Sequence, residues 1–336
     1  MMYRKEQFKK LLLCVTAVTL LAGCGSTDDE VIGNVGVNDS KAQVESQEED
    51  LTDVQDTEEE QQDVTFEKVP EINEESQEPD YVIEEQDTNT RTPIFKTLDT
   101  VPTDTDIQAM SAESNGWGQG TQVDDLNRPA GCLQYQEKFG SHSVRFLMDD
   151  TEEKVIYLTF DEGYENGYSG QILDILKEKN IKAVFFITMD YAKKEPELVQ
   201  RMIDEGHVVG NHSVTHPSAG IPSLSLAEQE NEVMELHNYV KENFGYEMYL
   251  FRFPAGIFSE QSLGILDKCG YTGVFWSFAF HDWDPDNQMA YSDALQKTVD
   301  CLHPGAIYLL HAVSSTNTAI LGEFIDTAIE QGYTFQ

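Results

Sequence analysis

From Lys154 to its end the chain alternates short apolar runs with longer amphipathic stretches, and that alternation leaves few folds open. The runs 155–160, 182–188, 207–211, 248–253, 272–278 and 305–311 are rich in β-branched and aromatic residues, as strands buried on both faces require. Between and after them, 168–179, 195–205, 225–243, 259–269, 292–302 and 317–331 read as helices. Ile172, Leu173, Ile175 and Leu176 make one apolar face. Pro196 opens the second helix and Gly206 follows it. Ser259 caps the fourth, with Gly270 beyond its end. A βαβα order means a parallel sheet with right-handed crossovers. Repeated that often, and without a GxGxxG turn, it predicts an α/β fold, a distorted (β/α) barrel of about seven parallel strands. Phe335-Gln336 reads as the start of a last strand.

The first run ends in Asp161 and Glu162, followed by Gly163. Two carboxylates at the end of a buried strand are costly unless their charge is used, and the sites of β/α barrels lie at that end of the strands. The loop after the third run holds Asn211-His212-Ser213-Val214-Thr215-His216-Pro217. Histidines at i and i+4 predict one face of a helical turn, within reach of one metal ion. Later loops carry Arg252-Phe253-Pro254-Ala255-Gly256, His281-Asp282-Trp283 and Leu309-Leu310-His311. Each alone fits a helix cap, a turn or a pair of surface imidazoles. Together they open into one bowl, because each follows a strand.

Other conspicuous residues have plainer expectations. His142, His207, His237, His281 and His303 carry no motif and are expected to be structural, with His237 on a helix surface. Core packing is the default for Tyr164, Tyr168 and Trp276, and Trp283 alone is placed on the site wall. The Gly-rich stretch 115–120 around Trp117 is expected to pack on the outside. None of the five cysteines forms a CxxC pair. Cys132, Cys269 and Cys301 leave open one disulfide with a free thiol, or three thiols.

The N-terminus reads as an export signal over 1–23. Arg4, Lys5, Lys9 and Lys10 precede an apolar stretch, Leu11 to Leu21, too short to span a bilayer. Leu21-Ala22-Gly23-Cys24 resembles the lipobox of bacterial lipoproteins. That resemblance implies cleavage before Cys24, lipid on its thiol, and an extracytoplasmic protein anchored to the bacterial membrane. Residues 25–110 hold 26 Asp and Glu against 4 Lys and Arg. Such a segment buries too little apolar area to order itself, so 24–110 reads as a disordered acidic linker. Residues 111–150 then form an N-terminal extension of the domain over 151–336. A net charge of −39, with no basic face, excludes a nucleic-acid partner.

The ordered motifs TFDEG, HSVTH, RFPAG, HDW and LLH resemble those of the polysaccharide deacetylase (NodB-homology) family, carbohydrate esterase family 4. TFDEGYENGY, FRFPAGIFSE and VFWSFAFHDWDPDNQ look closest to its delta-lactam-biosynthetic de-N-acetylases. The resemblance implies roles. Asp161 would be the base that activates water. Glu162, His212 and His216 would hold a divalent metal, zinc first, with cobalt or iron as alternatives. His311 would be the acid that protonates the leaving amine, oriented by Asp282, and Arg252 would keep Asp161 ionised. Pro254, Ala255, Trp283 and Leu309 would contact the substrate, Leu309 at the acetyl methyl. Glu162 stands where the family has Asp, Phe253 and Ala255 where it has Pro and Tyr, and Ala279 where many members have Asp.

The implied substrate is N-acetylmuramic acid in peptidoglycan, on the way to muramic δ-lactam. The alternatives are N-acetylglucosamine in peptidoglycan or another polysaccharide, and a glycan-binding lipoprotein of weak turnover. The chemistry agrees with the residues independently of any resemblance. Amide hydrolysis needs an activated water, a stabilised oxyanion and a proton for the amine. A divalent ion, a carboxylate and an imidazole supply these.

Overall fold

The structure is a computed structural model that describes residues 92–148 and 153–336. The leader, Cys24 and the acidic segment up to residue 91 lie outside the described residues. In chain order the elements are α1 (Asp104–Ala109), β1 (Asn115–Gly116), α2 (Ala130–Phe139), β2 (Val144–Arg145), β3 (Val155–Glu162), α3 (Ser169–Lys179) and β4 (Val184–Ile187). There follow α4 (Met189–Lys194), α5 (Pro196–Asp204), β5 (Val208–Asn211), α6 (Leu226–Phe244), β6 (Leu250–Phe251) and β7 (Ile257–Phe258). The chain closes with α7 (Glu260–Lys268), β8 (Thr272–Val274), α8 (Tyr291–Asp300), β9 (Ala306–His311), α9 (Ser315–Glu330) and β10 (Thr334–Phe335). The expected alternation is present, with α4 added after β4.

Among the described residues the main sheet has eight strands, all paired in parallel. β3 is its centre. One edge pairs with β9 along Ile156–Asp161, and the other takes β10 at Val155–Ile156 and β4 at Thr159–Glu162. β5, β6, β8 and β2 continue from β4. The chain leaving β8 then reaches β9, where Ser277 N donates to Ile307 O at 2.9 Å and Leu309 N to Phe278 O at 2.9 Å. Those bonds bring the two ends of the curled sheet together as a distorted barrel.

Strand alternation sorts the core. Ile156, Leu158 and Phe160 join the cluster beneath the helices, with Phe185, Ile187, Tyr308 and Leu310. Val155 and Tyr157 face inward and meet Val184, Phe186, Leu250, Val274 and Ile307. Gly210 is needed where Phe186 fills the lumen, since a Cβ there would lie 2.5 Å from the ring. Ile94 belongs to this inner cluster and is fully buried. Its strap is tied down by Lys96, whose backbone N donates to Thr272 Oγ1 at 2.9 Å and whose Nζ donates to His142 O at 2.8 Å.

The expected linker therefore does not run to residue 110. Residues 92–110 belong to the folded part, and α1 is closed by a capping box between Thr103 and Asp106 and joined to α7 by a 2.8 Å Asp104–Lys268 ion pair. A single apolar plug in a polar stretch leaves no periodic signal. Cys132, Cys269 and Cys301 are all free thiols.

Candidate active site

The inward parity of β3 carries on from Val155 and Tyr157 to Thr159 and Asp161, so Asp161 ends the lumen row at the strand's C-terminal end. The register pairs it directly with His311 at the end of β9. Both line a cavity of about 790 Å³, together with His212, His216, Ala255, Trp283 and Leu309. The strand-end residues thus converge as the sequence predicts, with exceptions that follow from parity and loop shape.

Asp161 is held from behind by Arg252, which is fully buried. Arg252 Nη1 donates to Asp161 Oδ1 at 2.8 Å and to Thr159 Oγ1 at 2.8 Å, while Nε donates to Val274 O at 3.0 Å. The guanidinium also stacks over Phe186, 4.2 Å from the ring centre. Burial alone favours a neutral acid at Asp161. The charge and hydrogen bond of Arg252, helped by His212 and His311, outweigh it and hold the carboxyl below the usual range. Arg252 acts through Asp161 and does not line the cavity.

His311 is oriented by Asp282, which is 1 % exposed. Asp282 Oδ1 lies 2.7 Å from His311 Nδ1, and Oδ2 accepts from the His311 backbone N at 2.9 Å. Asn317 Nδ2 donates to the same Oδ2. Burial disfavours the imidazolium, but the Asp282 hydrogen bond and charge prevail and raise the His311 pKa. Nδ1 is thereby committed, and Nε2 is the nitrogen left for the cavity.

The HSVTH segment is not the helical turn its spacing predicts. It is a bent loop in which Ser213 and His216 take positive φ, 73° and 48°. The two imidazoles still meet, with ring centres 4.8 Å apart. A buried carboxylate on α6, Glu232, shapes the loop. It accepts from Val214 N and Thr215 N, each at 2.9 Å, and from Thr215 Oγ1 at 2.7 Å. Sequence reasoning missed Glu232. The available signal was an acid on the apolar face of α6, beside Val233 and Leu236.

Glu162 does not join the histidines. It follows Phe160 in parity, so its side chain passes to the outer face, where Oε2 accepts from Ser169 Oγ at 3.2 Å. It is fully buried, and burial, then the charges of Glu165 and Asp161, raise its pKa well above the carboxylate range. Pro254 is likewise corrected, for it is buried at the start of a tight turn and does not line the cavity. Ala255 does, in a left-handed conformation (φ 54°, ψ 14°). Trp276 and Tyr164, assigned to the core from sequence, line the cavity, whereas Trp283 stands on its wall as expected. His237 is tied to Tyr271 Oη at 2.7 Å, and is half-buried rather than on the surface.

Among the described residues no group of three or more His, Cys, Asp or Glu side chains is arranged to hold a metal ion. The donor chemistry nonetheless favours a cation beside His212. Burial lowers the His212 pKa to about 4, so the ring is neutral at pH 7 and has one N–H. Nδ1–H donates to the carbonyl of Arg252 at 2.8 Å. Nε2 therefore presents a lone pair 3.5 Å from Asp161 Oδ2, itself an anion. Two lone pairs facing each other between largely buried side chains fit a positive ion between them. His212 and Asp161 fit such an ion, with the His216 ring next to His212; Glu162, turned to the outer face, does not.

Fold and site together define a barrel hydrolase, with a carboxylate on one strand end and an oriented imidazole on the next. A family model of polysaccharide deacetylases matches residues 148–274. The chain is 42% identical over 231 residues to the peptidoglycan-N-acetylmuramic acid deacetylase PdaA of Bacillus subtilis, covering 68% of this chain and 86% of that one. The solved structure of PdaA, a family 4 carbohydrate esterase, matches with a TM-score of 0.63 at 37% identity, over 67% of this chain and 95% of that one. A family 4 carbohydrate esterase from Bacillus anthracis matches with a TM-score of 0.55, also at 37% identity, over 68% and 95%. The chain belongs to the polysaccharide deacetylase family. It is a deacetylase of the hydrolase class.

Proposed function

We propose that the chain hydrolyses the acetamide of N-acetylmuramic acid in peptidoglycan, the step that frees an amine able to close to a muramic δ-lactam. The observation that carries the chemistry is the Asp161–His311 register pair, with its Arg252 and Asp282 supports. What supports the sugar is the similarity to PdaA across most of that protein's length.

The residues divide the work. Asp161, kept ionised by Arg252, takes the proton of the attacking water. His311, charged through Asp282, gives a proton from Nε2 to the departing nitrogen as the C–N bond breaks. Leu309 and Ala255 bound the space for the acetyl group, and Trp283 offers an exposed ring to the glycan. A divalent cation, zinc or else cobalt or iron, would be held by His212 and His216 beside Asp161. Once bound, it supplies a Lewis acid at the acetyl oxygen.

A second reading changes the sugar. Among the described residues no Lys or Arg lines the cavity, which favours a neutral N-acetylglucosamine over a ring bearing a lactyl carboxylate. Purified protein given peptide-free peptidoglycan separates the two. Acetate release with a muramic amine or δ-lactam in the digest supports the first reading, and glucosamine alone supports the second. No acetate from that glycan, with zinc or cobalt supplied, defeats both.

We also propose that the protein works outside the cytoplasmic membrane as a lipoprotein. The support is the leader and the LAGC sequence ending at Cys24. Radiolabelled fatty acid should enter the wild-type chain and not Cys24→Ala.

A further inference from the structure

Resting on the deacetylase reading and deepening it, we propose that the 115–119 segment is a specificity element, in which Gln119 is a positioning residue that sets the indole of Trp276 as a wall of the glycan cavity. The segment precedes the residues that the family model matches. It is nevertheless bonded into the site at three places. Asn115 and Gly116 pair antiparallel with Phe258 and Ile257, and Trp117 N donates to Gly256 O at 2.9 Å. Trp117 Nε1 donates to the carbonyl of Trp276 at 3.0 Å. The Gln119 amide then spans two neighbours, its Oε1 accepting from Trp276 Nε1 at 3.0 Å and its Nε2 donating to Ala279 O at 2.9 Å.

Trp276 and Ala279 both line the cavity. The far side of the indole is closed by Gly256, where a Cβ would lie 2.8 Å from Trp276 Cη2 and 3.2 Å from Trp117 Cβ. Gly256 also takes φ +67°, a second reason for glycine. The indole is thus wedged by packing on one side and pinned by its one polar atom on the other. An aromatic plate fixed in advance loses no rotamer freedom when a sugar ring meets it. Gln119 touches neither the reacting atoms nor the acid and base, so its effect belongs in substrate affinity.

The test uses the full chain and peptide-free glycan strands from peptidoglycan. Gln119→Ala should raise KM about five- to tenfold, the worth of one lost hydrogen bond, with kcat within about twofold. Gln119→Glu keeps an acceptor for Trp276 Nε1 but loses the donor to Ala279 O, and should recover part of the affinity. In a Trp276→Phe background, Gln119→Ala should add nothing, because the two act as one unit. A wild-type KM in Gln119→Ala, a fall in kcat alone, or effects that add in the double variant would overturn the proposal. If the wild-type chain releases no acetate, the deacetylase reading has failed instead. The segment is then judged by calorimetric Kd for the same strands, where the same ratios support it, and equal or undetectable binding in wild type and Gln119→Ala overturns it.

Discussion

Asp161 and His311 are register partners on adjacent parallel strands, so the base and the acid of the proposed reaction are set by backbone pairing. Neighbouring strands are about 4.8 Å apart, and that spacing leaves room for a reacting group above both side chains. Asp161→Asn keeps the shape and removes the base. Acetate release should fall at least about 10²-fold, the scale of one positioned base. Breaking a buried ion pair from one side also costs stability, up to about 3–5 kcal/mol. The other Arg252 bonds, to Thr159 and Val274, place the expected loss at the low end. Kinetics and a denaturant melt on the same sample check both.

Asp282 controls the alkaline side of the pH profile. His311 must be protonated to act, and its pKa is raised in the fold. Activity is therefore present below that pKa and lost as pH rises through it. The same group stabilises the fold below its unfolded value of about 6.5, and that contribution fades as pH climbs past the folded one. Asp282→Asn removes the hydrogen-bonded charge and leaves burial, which lowers the pKa. The alkaline limb of kcat/KM should move to lower pH, while the acid limb stays. A limb that does not move would show that His311 is not the group being titrated.

Glu162 separates a strand-parity account of the site from one based on motif position. Its carboxyl is buried on the outer face, bonded to Ser169, and burial raises its pKa well above the carboxylate range. Glu162→Gln should therefore bind as much metal as wild type, measured by elemental analysis after dialysis, and, because it keeps an acceptor for Ser169 Oγ, melt within about 1 kcal/mol of it. His212→Ala and His216→Ala should each lose the metal. Metal loss in Glu162→Gln would return that residue to the ion.

Glu232 should matter to the histidines without touching them. It closes three hydrogen bonds onto Val214 and Thr215, between the two imidazoles. Glu232→Gln retains one acceptor and loses the charge, at a cost of about 1–3 kcal/mol. The loop's two positive-φ residues then lose their restraint, so metal affinity should fall about 10- to 100-fold, as for other outer supports of a metal ligand. Glu232→Asp should restore little, because the shorter arm does not span the same three donors.

The barrel was legible because parallel strands and amphipathic helices write different periods, and Val155–Phe160 or Ile172–Leu176 show them plainly. Asp161, His212, His311 and Leu309 were legible because each ends a strand or follows one closely. Glu162 misled because one position along a strand reverses the side a residue faces, and the TFDEG string does not say which acid turns inward. The HSVTH spacing looked helical because His at i and i+4 fits a helix, while no glycine announces the positive φ at Ser213 and His216. Glu232, Gln119 and Ile94 act through contacts far along the chain, and no local pattern announces them.

Ile94 gives the last test, because it separates the folded boundary seen here from the one expected at residue 110. It is fully buried among Val155, Tyr157, Phe186 and Ile307 inside the barrel. Ile94→Ala removes three carbons from a site that the surrounding strands cannot easily collapse, so it should cost about 2–5 kcal/mol. A chain cut to begin at residue 111 loses Ile94, the Lys96 bonds to His142 and Thr272, and the capped α1 together. It should melt lower than a chain beginning at residue 92. Because Ile94 does not line the cavity, turnover well below the melting point should survive Ile94→Ala. Equal melting of chains begun at 92 and 111 would mean the strap contributes nothing to the barrel it fills.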